Sequence, residues 1–321
     1  MQKKEKKTFL SVIKGIIRIV WFLISLFFVF IFGIFLLGFL SLIFGSDVEI
    51  KSGNIAVIPI SGVISSTSDA EGLISQGAAN SKKISEWIKK ADESDNIKAI
   101  ILEINSPGGS PVATDEIAQA VKKAKKPTVA IIRETGTSGA FWVATSADTV
   151  FANRMSLTGS IGVLASRLEF AGLLKDYNIT YRRIVAGKYK DAGSRFKEMT
   201  AEEQTLFQKT INQIHEYFIE EVANNRKLSP SAVRELATGF VFLGSEAKEL
   251  GLIDYLGGRE EAIKLLEEKL GIKAEIAEFK DRAKLFDFFG SVMNENFYFL
   301  GQGIGSVLFK SRAYEQFEVW T

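Results

Sequence analysis

Apolar residues are unevenly spread along this 321-residue chain, and the first concentration of them is the most extreme. From Ile19 to Ser46 the sequence IVWFLISLFFVFIFGIFLLGFLSLIFGS carries no charge. As a helix it would span about 42 Å, more than the roughly 30 Å hydrocarbon core of a bilayer. It is apolar on every face, unlike the amphipathic helices that pack onto soluble domains. A cleavable signal peptide has an apolar region of only about 7–15 residues, and no clear small-x-small site ends this run. The pattern therefore predicts a retained transmembrane anchor over 19–46. Lys3, Lys4, Lys6, Lys7, Lys14 and Arg18 precede it, and Asp47 and Glu49 follow it. The positive-inside rule then predicts a cytoplasmic N-terminus over 1–18 and an extracytoplasmic remainder at the cell membrane.

Beyond the anchor the periodicity switches repeatedly between two and 3.6. Strands are predicted at 54–64, 98–104 and 127–134, and helices at 81–94, 112–125 and from Ser138 onward. KAIILEI (98–104) is almost continuously apolar, as in a strand buried on both faces. Short strands are expected at 149–152, 161–165 and 179–186. A long helix is expected at 201–226, with Phe207, Ile211, Ile214 and Phe218 on one face. A helix at 257–271 and a strand at 273–278 close the pattern. Such alternation predicts an α/β domain with parallel strands over 47–280. The tail 281–321 has helical spacing at Leu285, Phe288, Phe289, Val292 and Met293. Three readings stay open for it: packing on its own domain or a partner subunit, lying in the membrane interface, or ordering only on binding.

Composition narrows the chemistry. There are no cysteines and a single histidine, His215, which removes thiol catalysis and histidine-rich metal sites. No metal and no cofactor are expected. The net charge of +2, with no basic stripe interleaved with aromatics, argues against nucleic acid as a partner.

Three glycine-bearing loops follow predicted strands, where α/β proteins gather their sites. Asn105-Ser106-Pro107-Gly108-Gly109 could aim backbone N–H groups at an oxyanion, though it also reads as a plain turn. Gly136-Thr137-Ser138-Gly139 opens a helix, so Ser138 is either a nucleophile or an N-cap. Residues 156–163 supply further hydroxyls and glycines. A serine nucleophile needs a base, and with one histidine in the chain lysine is the leading candidate. Lys188 and Lys190 flank Tyr189. On its own either lysine reads as a solvated surface charge, and acting as a base would require burial away from carboxylates. Asp191 beside it would work against that if turned inward. A triad built on Ser138 and His215 is the alternative mechanism.

SPGG at 106–109, SGAFWVATSAD at 138–148, LTGSIGV at 157–163 and KYKDAGS at 188–194 stand in order and spacing that resembles the signal peptide peptidase A family of membrane-anchored serine proteases, peptidase family S49. The resemblance runs from about residue 54 to 260. It implies Ser138 as nucleophile, Lys190 rather than Lys188 as general base, Gly109 as an oxyanion-hole donor, and Ser160 as the residue that orients the lysine. Gly139 N–H is expected to be the second oxyanion donor. The resemblance further implies a Clp protease/crotonase-like α/β fold and ring-like homo-oligomers. Ala140 stands where the family usually has a second glycine, and the run after Lys190 lacks a proline often found there.

The resulting expectation is a membrane-anchored Ser–Lys serine endopeptidase acting on hydrophobic peptides such as signal-peptide remnants, with lipid and its own copies as partners. The rivals are a crotonase-type acyl-CoA enzyme, which would need no Ser–Lys pair, and a non-catalytic membrane scaffold.

Overall fold

The computed structural model describes residues 2–44, 48–50, 53–66 and 78–281. The expected tail from residue 282 onward and the last anchor residues, 45 and 46, lie outside the described residues. Gln2–Phe44 form one continuous 43-residue helix, α1. Its stretch Ile17–Leu36 has a mean hydropathy of 2.9 and is the one helix among the described residues long and apolar enough to cross a membrane. Trp21, Phe22, Phe27, Phe28, Phe30, Phe32 and Phe35 are all exposed along it. Each such side chain gains about 1.5–3 kcal/mol on leaving water, so the helix demands an apolar surrounding.

Residues 50–280 form a compact unit of their own. The chain runs through β1 (Val48–Ile50), β2 (Ile55–Ser61), β3 (Ile64–Ser65), β4 (Ala79–Asn80), α2 (Ser81–Glu93), β5 (Ala99–Ser106) and α3 (Pro111–Lys123). It continues through β6 (Thr128–Thr137), α4 (Gly139–Thr145), β7 (Thr149–Ala152), β8 (Leu157–Gly159), α5 (Ala171–Asp176) and α6 (Ala201–Arg226). Then come α7 (Pro230–Leu236), β9 (Val241–Leu243), α8 (Gly244–Glu249), β10 (Tyr255–Leu256), α9 (Arg259–Leu270) and β11 (Ile276–Asp281).

Parallel strands in the order β11–β2–β5–β6–β7–β10 make the central sheet. Alternate side chains serve opposite faces. Ile55, Val57, Ala99, Ile101, Val129, Ile131 and Phe151 pack with Ala262 and Leu266 of α9. The intervening residues, including Ile58, Ile100, Leu102, Ala130 and Ile132, are equally buried and belong to the other face, where α2 and α4 contact the strands. The central strands are thus covered on both sides, which is why their sequence is continuously apolar. The expected α/β class is observed, and α6 matches its predicted bounds.

Two predicted strands are absent. The expected strand at 161–165 is replaced by β8, which ends at Gly159 because Ser160 adopts φ 52° and turns the chain away from β6 and β9. Residues 179–186, expected as a strand, run as exposed irregular chain, for no described strand pairs with them. Helix α6 is itself divided: Phe218, Ile219, Val222 and Ala223 are buried, whereas Leu206 and Phe207 near its start are exposed.

Candidate active site

Parallel strands bring their C-terminal ends to one edge, and three loops meet there. Register pairs Ser106 of β5 with Gly136 of β6, and Thr137 of β6 with Gly159 of β8. The residues that follow each strand therefore become neighbours although they are 22 to 30 positions apart.

Ser138 leaves β6 with φ 53° and ψ −128° and begins α4. A side chain at such a φ is strained, at roughly 1–3 kcal/mol. The surroundings hold it there. Its N–H donates to the Gly159 carbonyl at 2.8 Å, and its carbonyl accepts from the N–H groups of Phe141 and Trp142. Helix α4 is buried along its whole length. The side chain of Ser138 makes no capping bond, so the N-cap alternative is not realised. Ser138 is half-buried, and its hydroxyl has no hydrogen bond among the described residues.

The loop after β5 is tied down beside it. Asn105 Oδ1 accepts from the Thr135 N–H, and the buried Ser106 hydroxyl accepts from the Gly108 N–H at 3.1 Å. Gly108 has φ 95°, and a Cβ there would sit 2.9 Å from Ser138 Cβ and 2.7 Å from Gly139 N. Only glycine allows that approach. Gly109 bridges to Ile64: the Ile64 N–H donates to Gly108 O and the Ser110 N–H to Ile64 O, each at 2.9 Å. This pairing uses the groups on either side of Gly109. Its own N–H, and that of Gly139 at the first position of α4, have no acceptor among the described residues. Two unpaired backbone donors beside a free hydroxyl form the arrangement that a developing oxyanion requires.

Ser160 follows directly on the carbonyl that anchors Ser138. Its hydroxyl donates to Gly239 O at 3.1 Å and its N–H to Phe240 O. Lys190 is not brought to this cluster. It lies in an exposed turn held by its N–H to the Gly187 carbonyl, and its Nζ has no hydrogen bond or ion pair among the described residues. The choice between the two lysines is nevertheless informative. Lys188 Nζ bonds Glu202 Oε1 at 2.7 Å, lies over the Tyr189 ring and is held in its charged form, chiefly by the Glu202 hydrogen bond and then by Tyr189. Lys190 is the lysine of that turn left uncommitted. His215 Nε2 is 3.3 Å from the Ile161 carbonyl and does not reach Ser138, so the triad alternative is not realised in this chain.

Two contributors carried no sequence signal. Thr114 of α3 is buried with its hydroxyl unpaired among the described residues, and it fills the space that a Cβ on Gly139 would need. Ile64 does the same against Gly109. A helix threonine and a lone isoleucine look ordinary in one dimension.

Comparison with known proteins finds peptidases. The model of the family described as "Peptidase family S49" matches residues 120–273. A provisionally named protease of Methanocaldococcus jannaschii is 34% identical over 247 residues, 74% of this chain and 77% of that one. A provisionally named signal peptide peptidase of Enterococcus faecium is 33% identical, covering 71% of this chain and 67% of its own. Protease 4 of Haemophilus influenzae is 30% identical over 70% of this chain and 36% of its own length.

Proposed function

Since the chain belongs to peptidase family S49, the signal peptide peptidase A proteases, we propose that it is a membrane-anchored serine endopeptidase in which Ser138 is the nucleophile and Lys190 the general base. The observation that carries this reading is the Ser138 hydroxyl, held at positive φ without a capping bond on the loop cluster whose Gly109 and Gly139 N–H groups are also unpaired among the described residues. In the reaction Ser138 Oγ attacks the peptide carbonyl carbon while its proton passes to Lys190 Nζ. Gly109 and Gly139 donate to the resulting oxyanion. The C–N bond then breaks as Lys190 returns the proton to the leaving amine. Water, deprotonated by Lys190, hydrolyses the acyl-enzyme, and the proton goes back to Ser138. General-base assistance of this kind contributes about 10²–10⁴-fold.

Assembly between copies completes the site. Leu164, Leu168, Leu173, Ile179, Tyr181 and Ile184 are all exposed on the stretch leading to Lys190. Exposed large apolar side chains gathered on one segment of chain suit an interface. Packed on a neighbouring copy, it carries Lys190 to that copy's Ser138 and removes the lysine from water, which disfavours its charged form. Closing such contacts head to tail gives a ring. Helix α1 holds the assembly on the membrane, with the cationic N-terminus cytoplasmic and the protease outside. Hydrophobic peptides left in or near the bilayer, such as signal-peptide remnants, are the substrates this placement suits.

Complementation tests the reading. Ser138→Ala and Lys190→Ala full-length chains should each lose peptidase activity at least 10³-fold yet fold normally. Co-assembled from a mixture, they should regain activity, since some sites then pair an intact serine with an intact lysine. Full activity in either single variant, or no recovery in the mixture, would refute the shared site.

A further inference from the structure

Asp191 follows Lys190 directly and is the nearest carboxylate in sequence that could hold that lysine charged. The structure turns it elsewhere. Arg183 Nη1 donates to Asp191 Oδ1 at 2.5 Å, closing the segment 183–191 into a loop. The Asp191 side chain is 9% exposed, and its Oδ2 is buried with no partner among the described residues. A buried carboxylate of this kind needs its counter-ion, because removing one partner leaves an uncompensated charge.

The two carboxylates that α6 brings to the turn are already matched. On α6, Glu202 takes Lys188 and Tyr189, and Glu203 takes Lys197. Tyr181 and Glu203 act on Arg183 together with Asp191, whose hydrogen bond is the foremost influence keeping that guanidinium charged. Within the turn 187–193 the cation left without a partner among the described residues is Lys190. We infer that Arg183 is a positioning residue for the reaction: by claiming Asp191 it denies Lys190 a counter-ion and so lets the lysine act as a neutral base. This inference rests on the Ser138–Lys190 reading.

The sign follows from elementary electrostatics. Without Arg183, the Asp191 carboxylate turns to the adjacent Lys190. An opposite charge within about 4–6 Å favours the ammonium form. The base is then protonated over a wider pH range, and the acid limb of kcat/KM moves upward.

The experiment measures kcat/KM against pH for a fluorogenic peptide, using the full chain in detergent. Arg183→Gln should move the acid limb up by about one pH unit, close to a tenfold loss on that limb, with the plateau retained. Arg183→Lys, which keeps the cation, should stay near the parent profile. Arg183→Gln combined with Asp191→Asn should bring the limb back, an outcome that a merely structural role would not give. An unmoved limb in Arg183→Gln, or a loss uniform in pH that persists in the double variant, overturns the inference. If Arg183→Gln does not assemble, Asp191→Asn alone decides. An acid limb unchanged or lowered supports the clamp, and activity lost across all pH overturns it. Ser138→Ala and Lys190→Ala run alongside. Activity in either removes the dyad and the clamp together, whereas two dead controls with an unmoved Arg183→Gln limb remove the clamp alone.

Discussion

The proposed nucleophile and its proposed base sit in two unlike parts of one folded unit. Around Ser138 everything is braced: strands buried on both faces, a buried helix, and glycines packed so closely that a methyl group has no room. Around Lys190 the chain from 164 to 198 is irregular apart from α5, is mostly exposed, and presents large apolar side chains to solvent. The first region is finished within one chain. The second has the side chains of an interior and nothing described over them. On the proposed reading, the nucleophile and its oxyanion donors are built by folding, while the base is delivered by assembly.

The largest effect should come from breaking the exposed region. Ile184→Asp or Leu168→Asp places a charge in the surface that a second copy would bury. Sedimentation should show loss of the oligomer, and activity should fall at least 10³-fold with unchanged thermal unfolding of the 50–280 unit. A variant that remains assembled and active would erase the contrast. Next in size is a break in the braced region. Gly109→Ala drives a methyl group into the Ile64 carbonyl, displacing one oxyanion donor. We expect kcat to fall about 10²–10³-fold while the oligomer persists, measured by peptide turnover and sedimentation together.

The smallest effect on activity should come from the scaffold beneath both. Arg226 forks onto Asp254 at 2.7 and 2.9 Å, with the guanidinium 8% and the carboxylate 32% exposed. Burial pushes the Asp254 carboxyl up, but hydrogen bonds from Arg226 and the Val150 N–H outweigh it and hold the group below its usual value. A depressed carboxylate contributes stability above its unfolded pKa and loses it as pH falls through the folded one. Thermal melts should therefore weaken below about pH 4, and less so in Asp254→Asn. Arg226→Met should cost about 2–3 kcal/mol, under the range for fully buried pairs because Asp254 is partly solvated. Activity at neutral pH should change little.

The braced region was the more legible in sequence. A two-sided strand announces itself as an apolar run, so β5 and β6 were readable, as were the glycine loops that end them. The pairing of Gly109 with Ile64 was not, since a one-residue bridge leaves no periodicity. The exposed region misled in an instructive way. ITYRRIVAG (179–187) is rich in β-branched and aromatic residues like a strand, but its apolar side chains are exposed and no described strand pairs with it. Composition suited to a strand does not by itself supply a neighbouring strand. Lys190 was separable from Lys188 by family resemblance alone. The physical ground for the choice, the pairing of Lys188 with Glu202, appears only when the turn meets the start of α6.

The backbone at Ser138 has an evolutionary corollary. Its φ of 53° is one that glycine adopts freely and serine resists. Any descendant that no longer needed the hydroxyl would gain stability by replacing it with glycine. Glycine at this position would therefore mark a lineage that has kept the fold and abandoned the chemistry, so a single codon reports whether selection still acts on catalysis.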